Sequence, residues 1–478
     1  MPLTQTITNA VLLPNMTACV AGLPGLNGRS NTQQTGTTRY RVVMLRDVTS
    51  VQFIFCNYYK TGTNPQETAT GNSISIKAAI EYNGTTTPIT FAGQRTVSLP
   101  SGGMATSDVI SIALPNGATP YIRTYWDAGA GGYVPSLAAQ TIGSIAPGGA
   151  DSYVYGSDSV DATGALANAT PAYLYGPSAI LGNPPAFSVG VCGDSTVLSR
   201  DQNYGRAVVG SGTQGYLAAD GGGWPSRALR QRRIGLIGVS FGSERALDFA
   251  GANIQYRLPL IRTCSHWLVV YGRNDLVSGI DAATLQARLA AIAQMAAGYG
   301  IRPIAATIPP KSSDVSSAPW ASTGTQTTES LNSVRTAVND WLRGVPSPFV
   351  ACVNVADAVE TARNSGIWNI GPVQMTGIAS GGTSTTLTIA AAQWAANQYS
   401  DGDRAVRITG GTGAGQTRRI TGNTTTALTV GVAWTTTPDA TSVFEIFPTY
   451  TADGTHPSYY AHYLMSQVAL AAFVGGLP

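Results

Sequence analysis

The stretch Phe187-Ser-Val-Gly-Val-Cys-Gly-Asp-Ser195 carries the strongest fold signal in the sequence. Its first six residues, 187–192, form a short apolar run, which is typical of a strand buried on both faces of a parallel sheet. Gly193 permits the sharp turn that leaves such a strand. Asp194 and Ser195 then fall at the carboxyl end of the strand, where open α/β sheets carry their chemistry. Ser195 is therefore a candidate nucleophile.

Two later segments supply the partners that a nucleophilic serine requires. Gly272-Arg-Asn-Asp275 follows the apolar run 267–271, and Asp453-Gly-Thr-His-Pro457 precedes the last predicted helix. A serine, an asparagine and an Asp-x-x-His unit provide a nucleophile, an oxyanion donor, a base and a group that orients the base. Short Gly/Asp/Ser clusters alone are usually turns, so the interpretation depends on the combination.

These segments, in this order, resemble the sequence blocks of the SGNH (GDSL) hydrolase family. The resemblance implies an α/β fold with a doubly wound, five-stranded parallel sheet. It also implies a triad of Ser195, His456 and Asp453. The oxyanion hole would consist of the Ser195 and Gly242 backbone N–H groups and the Asn274 side chain. No metal or organic cofactor is implied.

The glycine of the second block is ambiguous. The predicted strand 234–239 leads into Ser240-Phe-Gly-Ser243, whereas the family usually has serine followed directly by glycine. We prefer Gly242 as the oxyanion donor and keep Gly238 as the alternative. A turn glycine without a catalytic role is the competing interpretation.

From residue 187 onward, apolar strands alternate with amphipathic helices, which indicates a parallel sheet with helical crossovers. The predicted strands are 187–192, 234–239, 266–271, 303–308 and 349–355. The predicted helices are 224–232, 244–250, 253–263, 281–299, 328–343 and 458–473. Between the first strand and the first helix, the polar segment 201–223 is long enough to shape a substrate cleft.

The N-terminal part alternates short apolar strands with turns rich in Gly, Pro, Asn and Thr, which predicts an all-β sandwich or jelly roll over residues 1–145. Tyr58, Tyr59, Tyr121, Tyr125 and Trp126 could stack on sugars, although such residues are more often core anchors. Residues 146–185 are rich in Gly, Ala, Ser and Pro and are predicted to form a linker packed over the catalytic domain.

A β-rich insertion over residues 366–450 separates the fifth strand from the Asp453 segment, so the hydrolase domain is predicted to comprise residues 186–365 and 451–478. Residues 385–389, 394 and 405–408 are echoed by 426–430, 434 and 443–446, which predicts two related β units in a small barrel or sandwich. The insertion resembles modules of bacteriophage tail and tail-fibre proteins through Gly413-Ala-Gly-Gln-Thr-Arg418 and Trp434-Thr-Thr-Thr-Pro-Asp439.

Composition narrows the class of protein. The chain has 478 residues, of which 11% are charged and 55 are glycine, and a formal net charge of +3. This profile is typical of a multidomain, β-rich protein. The charge is too small to indicate nucleic acid or an anionic membrane as a partner. No apolar run has the length of a membrane span, residues 1–22 do not read as a signal peptide, and the five cysteines follow no disulfide or zinc pattern.

SGNH hydrolases include lipases, thioesterases, arylesterases and carbohydrate O-acetylesterases. The β-rich context favours a carbohydrate esterase, namely an O-deacetylase of a bacterial cell-surface polysaccharide. We expect it on a phage tail, or otherwise in the cytoplasm, and as a trimer if it forms part of a tail fibre, although coiled-coil heptads are lacking. The alternatives are a short-chain lipid or aryl esterase and a non-catalytic tail adhesin or structural protein on the same scaffold.

Overall fold

A computed structural model describes residues 16–20, 28–61, 66–138, 152–169, 173–197, 223–251, 254–391, 393–399 and 402–473. The predicted cleft segment 201–223 lies outside the described residues apart from Gly223. Within the described part, no helix combines the length and apolarity needed to cross a membrane.

In the described part of the N-terminal region, the regular elements are strands. They are β1 (Thr17–Ala18), β2 (Gly28–Ser30), β3 (Thr35–Arg41), β4 (Val48–Cys56), β5 (Tyr58–Thr61), β6 (Gln66–Ala69), β7 (Ile74–Tyr82), β8 (Thr85–Ile89), β9 (Thr96–Leu99), β10 (Met104–Thr106), β11 (Ile110–Leu114), β12 (Tyr121–Asp127), β13 (Val134–Ala138), β14 (Ser152–Tyr155), β15 (Asn168–Ala169), β16 (Tyr173–Leu174) and β17 (Ala179–Asn183).

Strands and helices then alternate. The strands are β18 (Ser188–Gly193), β19 (Gly235–Gly238), β20 (His266–Val270), β21 (Arg302–Ala306), β22 (Ser312–Ser313), β23 (Thr327–Thr328) and β24 (Ala351–Val353). The helices are α1 (Trp224–Gln231), α2 (Ala246–Ala250), α3 (Leu258–Ile261), α4 (Arg273–Val277), α5 (Ala282–Gly298), α6 (Asn332–Arg343) and, at the C-terminal end, α7 (Tyr459–Ala472), with a 3₁₀ turn at Ala356–Ala358.

The predicted doubly wound parallel sheet is confirmed. Its five described strands have the order β19-β18-β20-β21-β24, and all the pairs are parallel. The first strand along the chain, β18, therefore lies between the second and the third. This reversal of strand order opens a crevice at the carboxyl edge of the sheet, and Ser195 follows β18 at that point.

Helices cover both faces of the parallel sheet, and the alternation of side chains along β20 shows this directly. Trp267 and Val269 belong to the apolar cluster that includes residues of α3 and α5, whereas Leu268 and Val270 belong to the cluster that includes α1 and α7. All four side chains are buried. A strand buried on both faces explains why the sequence reads as a continuous apolar run.

Two antiparallel sheets form the N-terminal region. One has the order β1-β17-β4-β10 with β11 beside β4, and the other has the order β15-β14-β3-β12-β7-β8 with β9 beside β7. A shared apolar cluster, with Phe53 and Phe55 from the first sheet and Ile76, Ile122 and Trp126 from the second, fills the space between them. This is the layered arrangement of a β sandwich.

The interval 146–185, predicted as a linker, instead supplies strands to these sheets. β14 pairs with β3, and β17 pairs with β4, both antiparallel. Short apolar stretches such as Ala179–Leu181 are buried within the sheet. Composition averaged over the interval concealed these strands.

Strand β4 is buried on both faces, and each face belongs to a different core. Phe53 and Phe55 lie in the sandwich core, whereas Ile54 and Cys56 lie in the same cluster as Trp267 and other residues of the α/β unit. The outer face of the first N-terminal sheet thus closes one face of the α/β core.

The predicted helix 253–263 shrinks to the four residues of α3. The carboxylate of Glu67, on β6, accepts hydrogen bonds from the backbone N–H groups of Tyr256 (2.5 Å) and Arg257 (3.0 Å). A side chain from the N-terminal region therefore satisfies donors that helical carbonyls would otherwise take up. Local sequence cannot reveal such a partner.

The inserted segment forms one sheet. It comprises β25 (Met375–Ile378), β26 (Gly381–Thr383), β27 (Thr386–Thr388), β28 (Arg404–Gly410), β29 (Thr417–Asn423), β30 (Ala427–Val430) and β31 (Val443–Pro448), in the order β25-β31-β28-β29-β30-β27-β26. The equivalent strands of the predicted repeat pair with each other, β27 with β30 and β28 with β31. Trp394 and Trp434, at equivalent positions, are both buried in its core.

Candidate active site

Ser195 lies in the turn that follows β18. The Asp194 N–H donates a hydrogen bond to the Val270 carbonyl of the neighbouring strand at 3.3 Å. The Asp194 carboxylate accepts hydrogen bonds from the N–H and hydroxyl of Thr196 at 2.8 and 2.7 Å, as in an Asx turn. These bonds fix the turn and leave Ser195 half-buried at the carboxyl edge of the sheet.

The side chain of Asp194 is buried beneath this turn. Its Oδ2 atom has no hydrogen-bond partner among the described residues. Burial raises the pKa of the carboxyl to about 6, although the Thr196 hydrogen bonds and the Arg273 and His456 charges act against the rise. Its ionisation therefore opposes folding as the pH rises through that value. We therefore assign Asp194 a structural role, which is to fix the conformation of the turn.

The structure brings the three predicted triad residues together. His456 Nε2 lies 2.9 Å from Ser195 Oγ, and His456 Nδ1 lies 2.8 Å from Asp453 Oδ2. A carboxylate only accepts hydrogen bonds, so Nδ1 carries a proton and Nε2 is the acceptor in the neutral ring. Nε2 is thus directed at the serine hydroxyl as a base.

Asp453 is held as a carboxylate. Burial alone would raise its pKa, but the His456 ring, the His456 and Thr455 N–H groups and the His456 charge outweigh burial and lower the pKa well below its usual range. The Thr455 and His456 N–H groups donate to Asp453 Oδ1 at 2.9 and 2.8 Å. The loop thereby fixes one carboxylate oxygen and leaves the other for the imidazole.

The loop 451–457 has its own anchors. Gly454 adopts φ +78°, and a Cβ there would lie 2.0 Å from the Ser312 carbonyl oxygen, so only glycine fits. The Gly454 carbonyl accepts hydrogen bonds from the Trp368 indole at 2.9 Å and from the Ser312 N–H at 3.0 Å. Asp453 and His456 are therefore presented by a braced turn.

The predicted oxyanion donors lie on the turns that surround Ser195. The Phe241 N–H donates to the Gly193 carbonyl at 2.8 Å, which brings the 240–243 turn next to the serine turn. Among the described residues, neither the Ser195 nor the Gly242 N–H has a hydrogen-bond partner. Both groups are available to a ligand, and their convergence on one oxygen stays a prediction.

The alternative glycine, Gly238, lies within β19, where it pairs with Val191 and is exposed. Gly242 directly follows Phe241, whose N–H donates to the Gly193 carbonyl of the serine turn. A Cβ on Gly242 would meet no atom within 4 Å, so space does not require glycine there. The choice of Gly242 over Gly238 as the oxyanion donor stays a prediction.

Asn274 lies in the first turn of α4, after β20. Its Nδ2 donates to the Glu244 carbonyl at 3.0 Å, which links the Gly272–Asp275 segment to the loop that follows β19. The second hydrogen of the Asn274 amide is not used in this bond. Asp275 accepts from the Ala246 N–H at 2.7 Å and pairs with Arg288 at 2.8 Å. Asp275 thereby braces the loop that carries Asn274.

Sequence reasoning missed Lys60, which reaches the second block from β5. Lys60 Nζ donates to the Ser240 carbonyl at 2.8 Å and lies 4.5 Å from the centre of the Phe241 ring. Burial, and secondly the Arg257 charge, lower the pKa of Lys60 to about 7, against the influence of Glu244 and Glu67. No sequence pattern connects residues 180 positions apart.

Behind Lys60 lies a buried charge network, which we define as Glu67, Glu244 and Arg257. The Arg257 guanidinium contacts Glu67 at 2.5 Å and Glu244 at 2.6 Å, and all three side chains are at most 1% exposed. Tyr271 also donates to Glu244 at 2.7 Å. The network joins β6 to the loop that carries Gly242.

The other two histidines have structural roles. His462 Nδ1 accepts the Trp224 N–H at 3.1 Å, and His266 Nδ1 lies 2.9 Å from Ser265 Oγ. Burial lowers the pKa of His266 to about 4, and the Arg302 charge contributes. Across the described ranges, no group of three or more metal-ligating side chains occurs.

Comparison with known proteins gives distant likenesses. No family model matches the chain, and no curated protein sequence matches it significantly. It is similar to a GDSL-like lipase from Bacteroides thetaiotaomicron, at 12% identity and a TM-score of 0.29 over 60% of this chain and 86% of that one. It is similar to the psychrotrophic esterase EstA from Pseudoalteromonas sp., at 18% identity and a TM-score of 0.19 over 26% and 61%. It is also similar to LAE5, an alpha/beta hydrolase from the Lake Arreo metagenome, at 16% identity and a TM-score of 0.26 over 36% and 78%.

Proposed function

We propose that the protein is a serine esterase that removes acetyl groups from a bacterial cell-surface polysaccharide, carried on a phage tail or a similar particle. One observation supports the esterase: His456 bridges Ser195 and Asp453 with hydrogen bonds of 2.9 and 2.8 Å. An imidazole held in this way can take the proton of a hydroxyl. The carbohydrate and the particle are inferred from the resemblance of the inserted segment to phage tail modules.

In the proposed acylation step, Ser195 Oγ attacks the acetyl carbonyl carbon while its proton passes to His456 Nε2. Asp453 stabilises the imidazolium that forms. As the tetrahedral intermediate collapses, the bond to the sugar oxygen breaks, and His456 returns the proton to that oxygen. The sugar leaves as a free alcohol, and Ser195 carries the acetyl group.

In the deacylation step, water replaces the sugar. His456 takes a proton from the water, whose oxygen attacks the acetyl-enzyme carbonyl, and then gives that proton to Ser195 Oγ as acetate leaves. In both steps the oxyanion would be bound by the Ser195 and Gly242 N–H groups and the Asn274 amide. Each such donor is worth about two to three orders of magnitude in rate.

The first test is hydrolysis of p-nitrophenyl acetate, butyrate and longer esters by the wild type and by Ser195→Ala. We expect turnover of the short esters, and a fall of at least about a thousandfold in kcat for the variant. Ser333→Ala, an exposed serine on α6, is the matched control. A second assay follows acetate release from an O-acetylated bacterial polysaccharide.

The outcomes separate the competing functions. A preference for long acyl chains would indicate a lipid esterase, and turnover of aryl esters without acetate release from polysaccharide would indicate an aryl esterase. No turnover of any ester by the wild type would favour a non-catalytic adhesin and would refute the mechanism.

Asp453→Asn is expected to lower kcat by about four orders of magnitude, because the imidazole loses its orienting carboxylate.

A further inference from the structure

A cavity of about 220 Å³ lies beside the candidate active site and takes no part in the mechanism above. Its walls come from α1, from the first turns of α7 and from the inserted sheet. The side chains that define it are Tyr459, Tyr460, Tyr463, Arg227, Arg404 and Gln374. We call it the tyrosine–arginine pocket.

Three tyrosines form one wall of this pocket. Tyr459 and Tyr463 lie one helical turn apart on α7 and thus share a face, and Tyr463 is 42% exposed. The Tyr460 ring lies 6.1 Å from the Tyr463 ring and 5.6 Å from the Tyr450 ring. Such a wall offers apolar faces with hydroxyl groups at the rim, which suits a ligand that is apolar on its faces and polar at its edges.

The guanidinium group of Arg404 contributes a positive charge to the pocket. Arg404 Nε donates to Gln374 Oε1 at 3.0 Å, and its Nη1 donates to the Asp403 carbonyl at 3.2 Å. The Arg227 guanidinium lies 4.2 Å from the centre of the Tyr459 ring. No carboxylate belongs to the described lining, and no described carboxylate pairs with Arg404.

The carboxylate that precedes Arg404 in the sequence, Asp403, has another role. Asp403 is buried, and its Oδ2 accepts the Tyr459 N–H at 3.0 Å. Its charge is thereby directed at the N-terminus of α7, where an anion is stabilised. Arg404 thus remains available to a carboxylate from outside the protein, which a guanidinium can bind through two parallel hydrogen bonds.

The position of the pocket connects it with the catalytic loop. Tyr459 is three residues from His456, so their Cα atoms are at most about 11 Å apart. Arg404 and Gln374 belong to the inserted segment, whereas Arg227 and the tyrosines belong to the hydrolase unit. The insertion therefore completes a binding site next to the triad.

We propose that the tyrosine–arginine pocket binds a carboxylate-bearing sugar ring of the substrate, so that the polysaccharide is acidic. This inference rests on the proposed function, because it names the substrate class. The tyrosines stack on the sugar ring, and Arg404 binds its carboxylate. The volume is below the roughly 300–1,000 Å³ of sites for drug-sized ligands, as a single ring requires.

Direct binding tests the pocket without relying on turnover. We would titrate Ser195→Ala with an oligogalacturonate and with the uncharged galactose oligomer of the same length, by calorimetry. We expect binding of the acidic oligomer that weakens with salt, and a loss of about tenfold or more in the additional variant Arg404→Met. Tyr463→Ala should weaken it as well.

The matched control is Arg407→Met. Arg407 lies on the same strand as Arg404, is 43% exposed and pairs with Glu445, but it does not line the pocket. Equal binding of both oligomers, no binding of either, or equal losses in the Arg404 and Arg407 variants would overturn the proposal. Arg404-dependent binding in a protein without esterase activity would support the pocket and refute the esterase.

A kinetic assay adds a second readout. With an O-acetylated polyuronate as substrate, Arg404→Met should raise KM and change kcat less, because the pocket binds a part of the substrate that does not react. The ratio of polymer to p-nitrophenyl acetate turnover should fall about tenfold. A fall in both activities by the same factor would mean that the substitution disturbs the triad, and would contradict a binding role.

Discussion

The two β-rich regions contact the α/β unit by different chemistry. The N-terminal region buries paired charges: Lys60 reaches the Ser240 carbonyl, and Glu67 pairs with Arg257, which in turn pairs with Glu244. The inserted region buries one carboxylate, Asp403, at the Tyr459 N–H. Next to the 451–457 loop it uses a half-buried side chain, Arg419, which donates to the carbonyls of Pro319 and Thr451 and to the Thr449 hydroxyl at 2.7–3.2 Å.

The difference matters because each region supports a different half of the site. The N-terminal contacts end on the 240–244 loop, which carries Gly242, the predicted oxyanion donor, whereas the Arg419 contacts end at residues 449–451, just before Asp453. A buried charge that loses its partner is costly, while a half-buried hydrogen bond is partly replaced by water. We therefore expect substitutions at the contacts of the 240–244 loop to lower the free energy of unfolding more than substitutions at the Arg419 contacts.

The largest expected effect is that of Arg257→Met. It leaves the carboxylates of Glu67 and Glu244 buried without their cation, which should lower the free energy of unfolding by about 3–5 kcal/mol. Urea denaturation followed by fluorescence measures this loss. Arg262→Met, five residues along and exposed, is the control. A loss below that of the control would mean that the network does not join the two regions.

An intermediate effect is expected for Lys60→Met. Without the ammonium group, the Ser240 carbonyl loses its partner and the 240–243 turn can shift, so kcat for p-nitrophenyl acetate should fall about tenfold with little change in KM. Lys77→Met removes a surface lysine that pairs with Asp158 and Asp161, and should change neither constant. A rise in KM at constant kcat would contradict a positioning role.

Lys60 should also change how stability depends on pH. Its folded pKa is about 7, and the unfolded value is about 10.4. Between these values the unfolded chain binds more protons, so the contribution of Lys60 to stability rises with pH. The free energy of unfolding should be measured against pH for the wild type and for Lys60→Met. The difference between the two curves isolates the contribution of Lys60 from those of the neighbouring Glu67, Glu244 and Arg257. Parallel curves would contradict a titration of Lys60 in this range.

The smallest expected effect is that of Arg419→Met. Its hydrogen bonds lie at a half-buried position, so we expect a stability loss of about 1 kcal/mol and a severalfold lower kcat through the 451–457 loop. The same unfolding and kinetic assays apply, with Arg407→Met as the control. A loss as large as that of Arg257→Met would remove the distinction between the two regions.

The sequence predicted those parts of the molecule whose signals are local. The apolar runs along β18 and β20 predicted buried parallel strands, and Asp453 and His456 share a loop, so their pairing needs no long-range information. The resemblance to the SGNH family predicted that Ser195 forms a triad with these two residues. In the structure, the Ser195 hydroxyl lies 2.9 Å from His456 Nε2. Roles in catalysis stay predictions until the esters are assayed.

What could not be predicted depends on contacts between distant residues. Glu67 accepts the N–H groups of Tyr256 and Arg257, and the helix begins only at Leu258, within the predicted range 253–263. β14 and β17 lie in a stretch whose average composition indicated a linker. Lys60 looks like any strand lysine, and only the fold shows that it reaches the 240–243 turn.

Strand β4 has a consequence for how the protein can be divided. Its two faces belong to two cores, with Phe53 in one and Ile54 in the other, so neither core is complete without it. The parallel sheet and the sandwich should consequently melt in one cooperative transition. An α/β fragment cut free at residue 186 would expose an apolar face and tend to aggregate, and exchange of the N-terminal region between related proteins would require a replacement with a matching outer face.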